Sequence, residues 1–221
     1  MGEACARAGR EANDVVIMAV TKTQPEATVR AAYDAGIRCF GENRVQEAVA
    51  KYTPDLRQLP GLDLQMLGHV QRNKARDVAD LFSTVQSIDA VRTLNALQQA
   101  CERFSTRLDI MMEINTSGEE NKYGFTSRAA LHECVERALE SDRLCLRGLM
   151  TIGPFTSDQD RIRDAFRSLA ESYHEVRDRY GPPTLDVLSM GMSGDYEIAI
   201  EEGSTMIRLG TVLFGERGVT P

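Results

Sequence analysis

Lys22 stands between two threonines at the end of six consecutive apolar residues, Val15-Val16-Ile17-Met18-Ala19-Val20. An uninterrupted, valine-rich run reads as a strand covered on both faces, as in a parallel sheet flanked by helices. Pro25 follows at an expected first helical position. A lysine at the end of a buried strand is a candidate for a lowered pKa and for condensation with a carbonyl. The alternative is a lysine reaching from a loop into water, and this stretch alone leaves both open. Two later stretches also offer chemistry, Ser189-Met190-Gly191-Met192-Ser193-Gly194-Asp195 and Arg208-Leu209-Gly210-Thr211. Their glycines let backbone N–H groups approach an anion closely, and Ser193 adds a hydroxyl donor. Taken singly, each could be no more than a turn, with Ser193 capping a short helix.

Arg208 lies one residue from the end of an apolar strand, so it either lines the mouth of the fold or threads outward between helices. Its glycine neighbours favour the inside, where it would be a permanent cation beside a ligand. Glu113, in another apolar strand, either faces an interior or pairs with a cation, and a pairing with Lys22 is one arrangement this permits. The histidines, His69, His132 and His174, show no metal-ligand spacing, and no metal site is expected. His132 and His174 fall on charged helices and are expected in solvent. His69 ends a strand, where it could cap, hydrogen-bond or act as an acid or base. The five cysteines are scattered, without a CxxC pair, and read as reduced and structural.

These residues need elements to position them. Strands are expected at 15–20, 37–40, 64–68, 84–88, 108–114, 144–152, 185–190 and 205–209. Helices are expected at 26–35, closed by Gly36, and at 44–51, 73–81, 90–104 with Asp89 as N-cap, 128–140, 158–179 and 195–201, with a helical turn after Gly210. Residues 54–61 and 116–123 read as loops. Strand followed by helix eight times implies parallel strands with right-handed crossovers, and eight units point to a closed (β/α)8 TIM barrel. We expect residues 1–221 to form one domain. In such barrels sites lie at the carboxyl ends of strands, and phosphate is often held by the loops after the seventh and eighth. Both glycine-rich loops fall there, which tips the balance from turn to phosphate cradle.

The formal net charge of −7 argues against a nucleic-acid or acidic-membrane surface. No apolar run approaches the roughly 18 residues of a membrane span, and residues 1–13 lack a secretory apolar core. A cytoplasmic protein is expected.

The combination of a first-strand lysine, a cradle after strands seven and eight and an adjacent arginine resembles the pyridoxal-phosphate-binding barrel of alanine racemase. The chain more closely resembles the pyridoxal-phosphate homeostasis proteins along nearly its whole length. The resemblance rests on Ala19 to Thr23, Phe40-Gly41-Glu42-Asn43 with Val45-Gln46-Glu47, and Gly68 to Lys74. It continues through Ser117-Gly118-Glu119-Glu120, Arg147-Gly148-Leu149-Met150, Leu188 to Ser193 and Gly203 to Gly215. It implies pyridoxal 5'-phosphate as cofactor, held as an aldimine on Lys22. It further implies Ser193, Gly210 and Thr211 on the phosphate, Met190 near the ring, Asn43 in the pocket and Arg208 at the pyridine nitrogen. An always-charged arginine there would weaken the ring as an electron sink. The racemases add a β-rich domain with a tyrosine acid/base, for which no room is expected after the eighth unit. The expectation is a carrier or buffer without catalytic residues, a monomer whose partners are the cofactor and the apo-enzymes that receive it. The competing readings are an amino-acid racemase and a Schiff-base aldolase. The chain departs from the family pattern in a shortened first helix and in Arg44 and Gln65, both expected near the pocket rim.

Overall fold

A computed structural model describes residues 1–215, so the last six positions of the expected domain lie outside the described residues. The strands are β1 Val16–Val20, β2 Cys39–Glu42, β3 Asp63–Met66, β4 Thr84–Ile88, β5 Leu108–Glu113, β6 Leu144–Met150, β7 Val187–Met192 and β8 Met206–Leu209. They close, all parallel and in chain order, into one eight-stranded barrel, with β1 pairing β8 from Val16↔Met206 to Ala19↔Leu209. The helices are α1 Gly2–Arg7, α2 Glu26–Asp34, α3 Val45–Lys51, α4 Pro54–Arg57, α5 Ala75–Leu81, α6 Val91–Phe104, α7 Arg128–Leu139, α8 Gln159–Tyr180, α9 Tyr196–Glu201 and α10 Thr211–Phe214. Right-handed crossovers of this kind leave each strand apolar on the helix side, where Phe40, Ile110, Met112 and Phe166 form the continuous core.

Local chemistry sets the long boundaries. The Asp158 carboxylate accepts from the Asp160 and Arg161 amides at 3.1 and 3.2 Å, which starts α8, and Gly181 ends it at φ 53°. The expected loop at 54–61 contains α4, nucleated by Pro54 at its first position. Asp89 does not cap α6, because Ala90 takes that place. Its carboxylate is drawn instead to His69 Nδ1 at 2.9 Å and to the Thr93 hydroxyl at 3.3 Å. The short α1 packs Ala4 and Cys5 against Ile200, Ile207 and Leu209. His132 is buried, not solvated: it sits between α7 and α8, 2.9 Å from Glu175 and 3.1 Å from the Tyr180 hydroxyl. Four of the five cysteines are buried free thiols and Cys145 is partly buried.

Inside the barrel, Met18, Cys39 and Met206 make an apolar plug. Gln65 lies beside it, below the rim expected for it, and bonds Asp63 and Gln86. From there a polar chain crosses the interior. Gln86 donates to Gln65 at 2.7 Å, the Ser189 hydroxyl donates to Gln86 at 2.7 Å, and Arg208 donates to Ser189 at 2.7 Å. Each of these buried groups is satisfied by the next, which is the condition for keeping polar side chains in a core.

Candidate functional site

The carboxyl ends of the strands enclose a cavity of about 400 Å³. Its wall includes Lys22, Asn43, Ser193, Arg208, Gly210 and Thr211, so six of the seven expected ligand residues share one space. Lys22 follows β1 and is half-buried there. The residue after it, Thr23, has φ 65°, a left-handed conformation that costs a β-branched side chain ~1–3 kcal/mol. Asn43 enters from the turn between β2 and α3. Gly68 makes that approach possible, since a Cβ on it would lie 2.0 Å from the Asn43 carbonyl oxygen. Arg44 is exposed and outside the cavity wall.

Met190 is not part of this wall. Ser189 points into the barrel, so the next residue faces out, and Met190 is buried in the helix-side core. The methionine that lines the cavity is Met192. A register shift between Ser189 and Met192, with Gly191 at φ 94°, brings it back inward. Strand alternation could not show this, although the glycine inside an apolar strand was the available signal.

The loop after β7 and the start of α10 form the polar end of the cavity. The Ser193 hydroxyl oxygen accepts from the amides of Gly210 at 3.2 Å and Val212 at 3.3 Å, which locks the two loops together. A Cβ on Gly194 would meet nothing within 4 Å, so its backbone faces open space. Such a cradle of glycine backbone and hydroxyls suits a phosphate.

Arg208 lies inside the barrel, as its neighbours suggested, and shares the cavity wall with these loops. Its guanidinium is fully buried, donating to Ser189 Oγ and to the Thr151 carbonyl, each at 2.7 Å. Burial lowers its pKa to about 10, opposed by the Asp195 and Glu113 carboxylates, so it remains charged at neutral pH. A fixed planar cation with further N–H donors suits an aromatic nitrogen acceptor. The chemistry of the hydroxyl-and-glycine cradle, the buried cation and the lysine amine on one wall therefore fits pyridoxal 5'-phosphate.

The family described as alanine racemase, N-terminal domain, matches residues 4–218. The pyridoxal phosphate homeostasis protein of Aquifex aeolicus is 38% identical over 217 residues, covering 97% of this chain and 92% of the relative. The chain belongs to the pyridoxal phosphate homeostasis protein family. The homologue of that name from Escherichia coli K12 is 39% identical over 216 residues, 97% of this chain and 91% of its own length. The structure of PipY from Synechococcus elongatus with pyridoxal phosphate bound superposes with a TM-score of 0.83 at 33% identity, covering 97% of this chain and 99% of PipY.

In this family member Glu113 faces the interior, because its alternate neighbours Ile110 and Met112 pack on the helix side. Burial raises its carboxyl to about 7; the Asp89 charge adds to the rise and Arg208 opposes it. A carboxyl raised above its unfolded value of about 4.3 holds its proton more tightly when folded, so its stabilising contribution is full below about pH 4. That contribution is lost as pH rises through about 7. Glu113→Gln is therefore expected to remove a loss on the order of 3 kcal/mol between acid and mildly alkaline pH. Denaturant midpoints measured across that range should flatten in the variant; a slope like that of the parent would assign the pH dependence elsewhere. His69, stacked on Tyr123 with ring centroids 4.3 Å apart and held by Asp89, stands beside the mouth and outside the cavity wall. Among the described residues no cluster of His, Cys, Asp or Glu could hold a metal ion, and no helix is long and apolar enough to cross a membrane.

Proposed function

We propose that this chain binds pyridoxal 5'-phosphate in the cavity, attaches it covalently through Lys22, and serves as a cytoplasmic reservoir that supplies it to apo-enzymes. The reading rests above all on one observation: Lys22 from the end of β1, Ser193 from the end of β7, and Arg208 and Thr211 from the end of β8 line a single cavity. The cofactor, when bound, supplies an aldehyde for an amine and an aromatic ring able to take up negative charge. Lys22 provides the amine. Ser193, Gly194, Gly210 and Thr211 hold the phosphate, and Arg208 offers N–H donors that keep their protons. Met192 and Leu67 supply apolar wall.

The same wall supports a holding role over a catalytic one. Racemisation needs an acid and a base on opposite faces of one carbon. Among the described residues, the titratable side chains lining the cavity are those of Lys22 and Arg208, and the second is too basic to shuttle protons near neutrality. Borohydride trapping of the chain mixed with pyridoxal phosphate, followed by peptide mass spectrometry, is expected to find the adduct on Lys22 and to lose it in Lys22→Ala. A parent chain that traps nothing, or traps equally in the variant, would refute the binding proposal. Solvent deuterium entering the α-position of amino acids at ordinary enzymatic rates would refute the holding role.

A further inference from the structure

The sequence motif Gly41-Glu42-Asn43 with Val45-Gln46-Glu47 contains two acids for which the cavity has no direct use. Both meet Lys51, at the end of α3, just behind the segment that carries Lys22. The Lys51 ammonium is buried and donates to the Thr21 carbonyl at 2.7 Å, to Glu42 Oε1 at 2.8 Å and to Glu47 Oε1 at 3.2 Å. The Thr21 hydroxyl donates to the same Glu42 oxygen at 2.7 Å and lies 3.1 Å from the Tyr52 hydroxyl. On the other side of Lys22, the Thr23 amide donates to Glu47 Oε1.

The residue before Lys22 is thus tied down by its carbonyl and hydroxyl, and the residue after it by its amide. All of these ties end on one buried cation and its two carboxylates. This wiring accounts for Thr23, whose left-handed φ of 65° persists only where its surroundings hold it. It also explains why Glu42 is tolerated with no exposure and with Oε2 lacking a hydrogen-bond partner: the other oxygen carries the ammonium and a hydroxyl. A salt bridge serving only to fasten α3 to the barrel would have no need to reach the backbone on both flanks of one residue.

We propose that Lys51 is a positioning residue for Lys22, acting directly on the Thr21 carbonyl and through Glu42 and Glu47 to fix the backbone from which the amine reaches the cavity. The proposal rests on the reading of Lys22 as the residue that captures the cofactor aldehyde. In that capture the amine nitrogen bonds to the aldehyde carbon and one water leaves. Its rate depends on presentation of the amine, whereas the grip on phosphate and ring does not.

Two ligands separate these contributions. Pyridoxal 5'-phosphate reports capture, and pyridoxine 5'-phosphate, which has an alcohol in place of the aldehyde, reports the grip alone. Lys51→Met is expected to slow capture about ten- to hundredfold while leaving the dissociation constant of the alcohol unchanged. Hydrogen exchange at the Thr23 amide of the unliganded chain should quicken in parallel. Glu47→Ala, at a partly exposed side chain, is the second variant and releases the Thr23 amide directly, so the test survives if Lys51→Met fails to fold. Capture as fast as in the parent in a folded variant, or equal losses for both ligands, overturns the proposal and leaves the role of Lys22 intact. A parent chain that forms no adduct at Lys22 overturns the functional reading and the positioning role with it.

Discussion

Gly68→Ala is expected to lower stability by ~3 kcal/mol, the upper part of the range for forcing extra atoms into a packed site. The added Cβ would lie 2.0 Å from the Asn43 carbonyl oxygen and 2.9 Å from its carbon, contacts that only a backbone shift can relieve. Neither side gives way freely. The Gly68 carbonyl is held by the Ser87 hydroxyl at 2.7 Å, and Asn43 is fixed between β2 and the start of α3. At this chain length the thermal midpoint should fall on the order of 10 °C. The displacement should also reach the cavity, because Asn43 lines it, and pyridoxal phosphate retention should weaken along with stability. Calorimetry and ligand titration of the same preparation test both consequences. An unchanged midpoint would mean the two backbones can part without cost, and the close approach would then have no role in building the mouth.

The legible part of this molecule was the part that repeats. Each strand–helix unit carries its own apolar run and its own breaker, so the count of eight, and hence the closed barrel, emerges from local patterns. The two glycine-rich loops were legible for the same reason, once the count placed them at the same end as Lys22. Sequence alternation failed where the register shifts. Gly191 inserts a residue into β7, and without that bulge no parity argument brings Met192 to the cavity while leaving Met190 outside. It also failed where partners are distant in sequence. His132 looks solvated on its own charged helix and is buried by Glu175 and Tyr180 of α8. The clamp around Lys22 has the same character. Lys51 lies 30 residues from the Thr21 carbonyl it binds, and nothing local to either residue announces the other.

Arg208→Met is expected to separate the site from the fold, leaving the ligand-free chain as stable as the parent or more so while cofactor retention collapses. Burial of the guanidinium is the largest influence on its pKa and acts against the charged form, so the folded chain bears the desolvation cost of this cation. Replacing buried ions by apolar side chains of similar volume is often neutral or stabilising by about 1–4 kcal/mol. Methionine is flexible enough to follow the arginine stem beside Met206 and Met18. Against that gain stands the Thr151 carbonyl, which loses its 2.7 Å donor at a cost of about 1 kcal/mol. Ser189 keeps its bond to Gln86, so the rest of the interior chain survives. The cavity, by contrast, loses its one permanently charged donor set among the described residues. A charged hydrogen bond to a ligand atom is worth about 1.5–3 kcal/mol, so affinity should fall roughly ten- to hundredfold. The Glu113 carboxyl provides an independent check, since Arg208 is what holds it down at about 7 and its removal should let that value climb. Measured on one variant, stability should therefore hold or rise, cofactor affinity should fall, and the pH dependence assigned to Glu113 should shift upward. A variant that loses stability and affinity together, with the Glu113 titration unmoved, would show that Arg208 is part of the frame and not of the site.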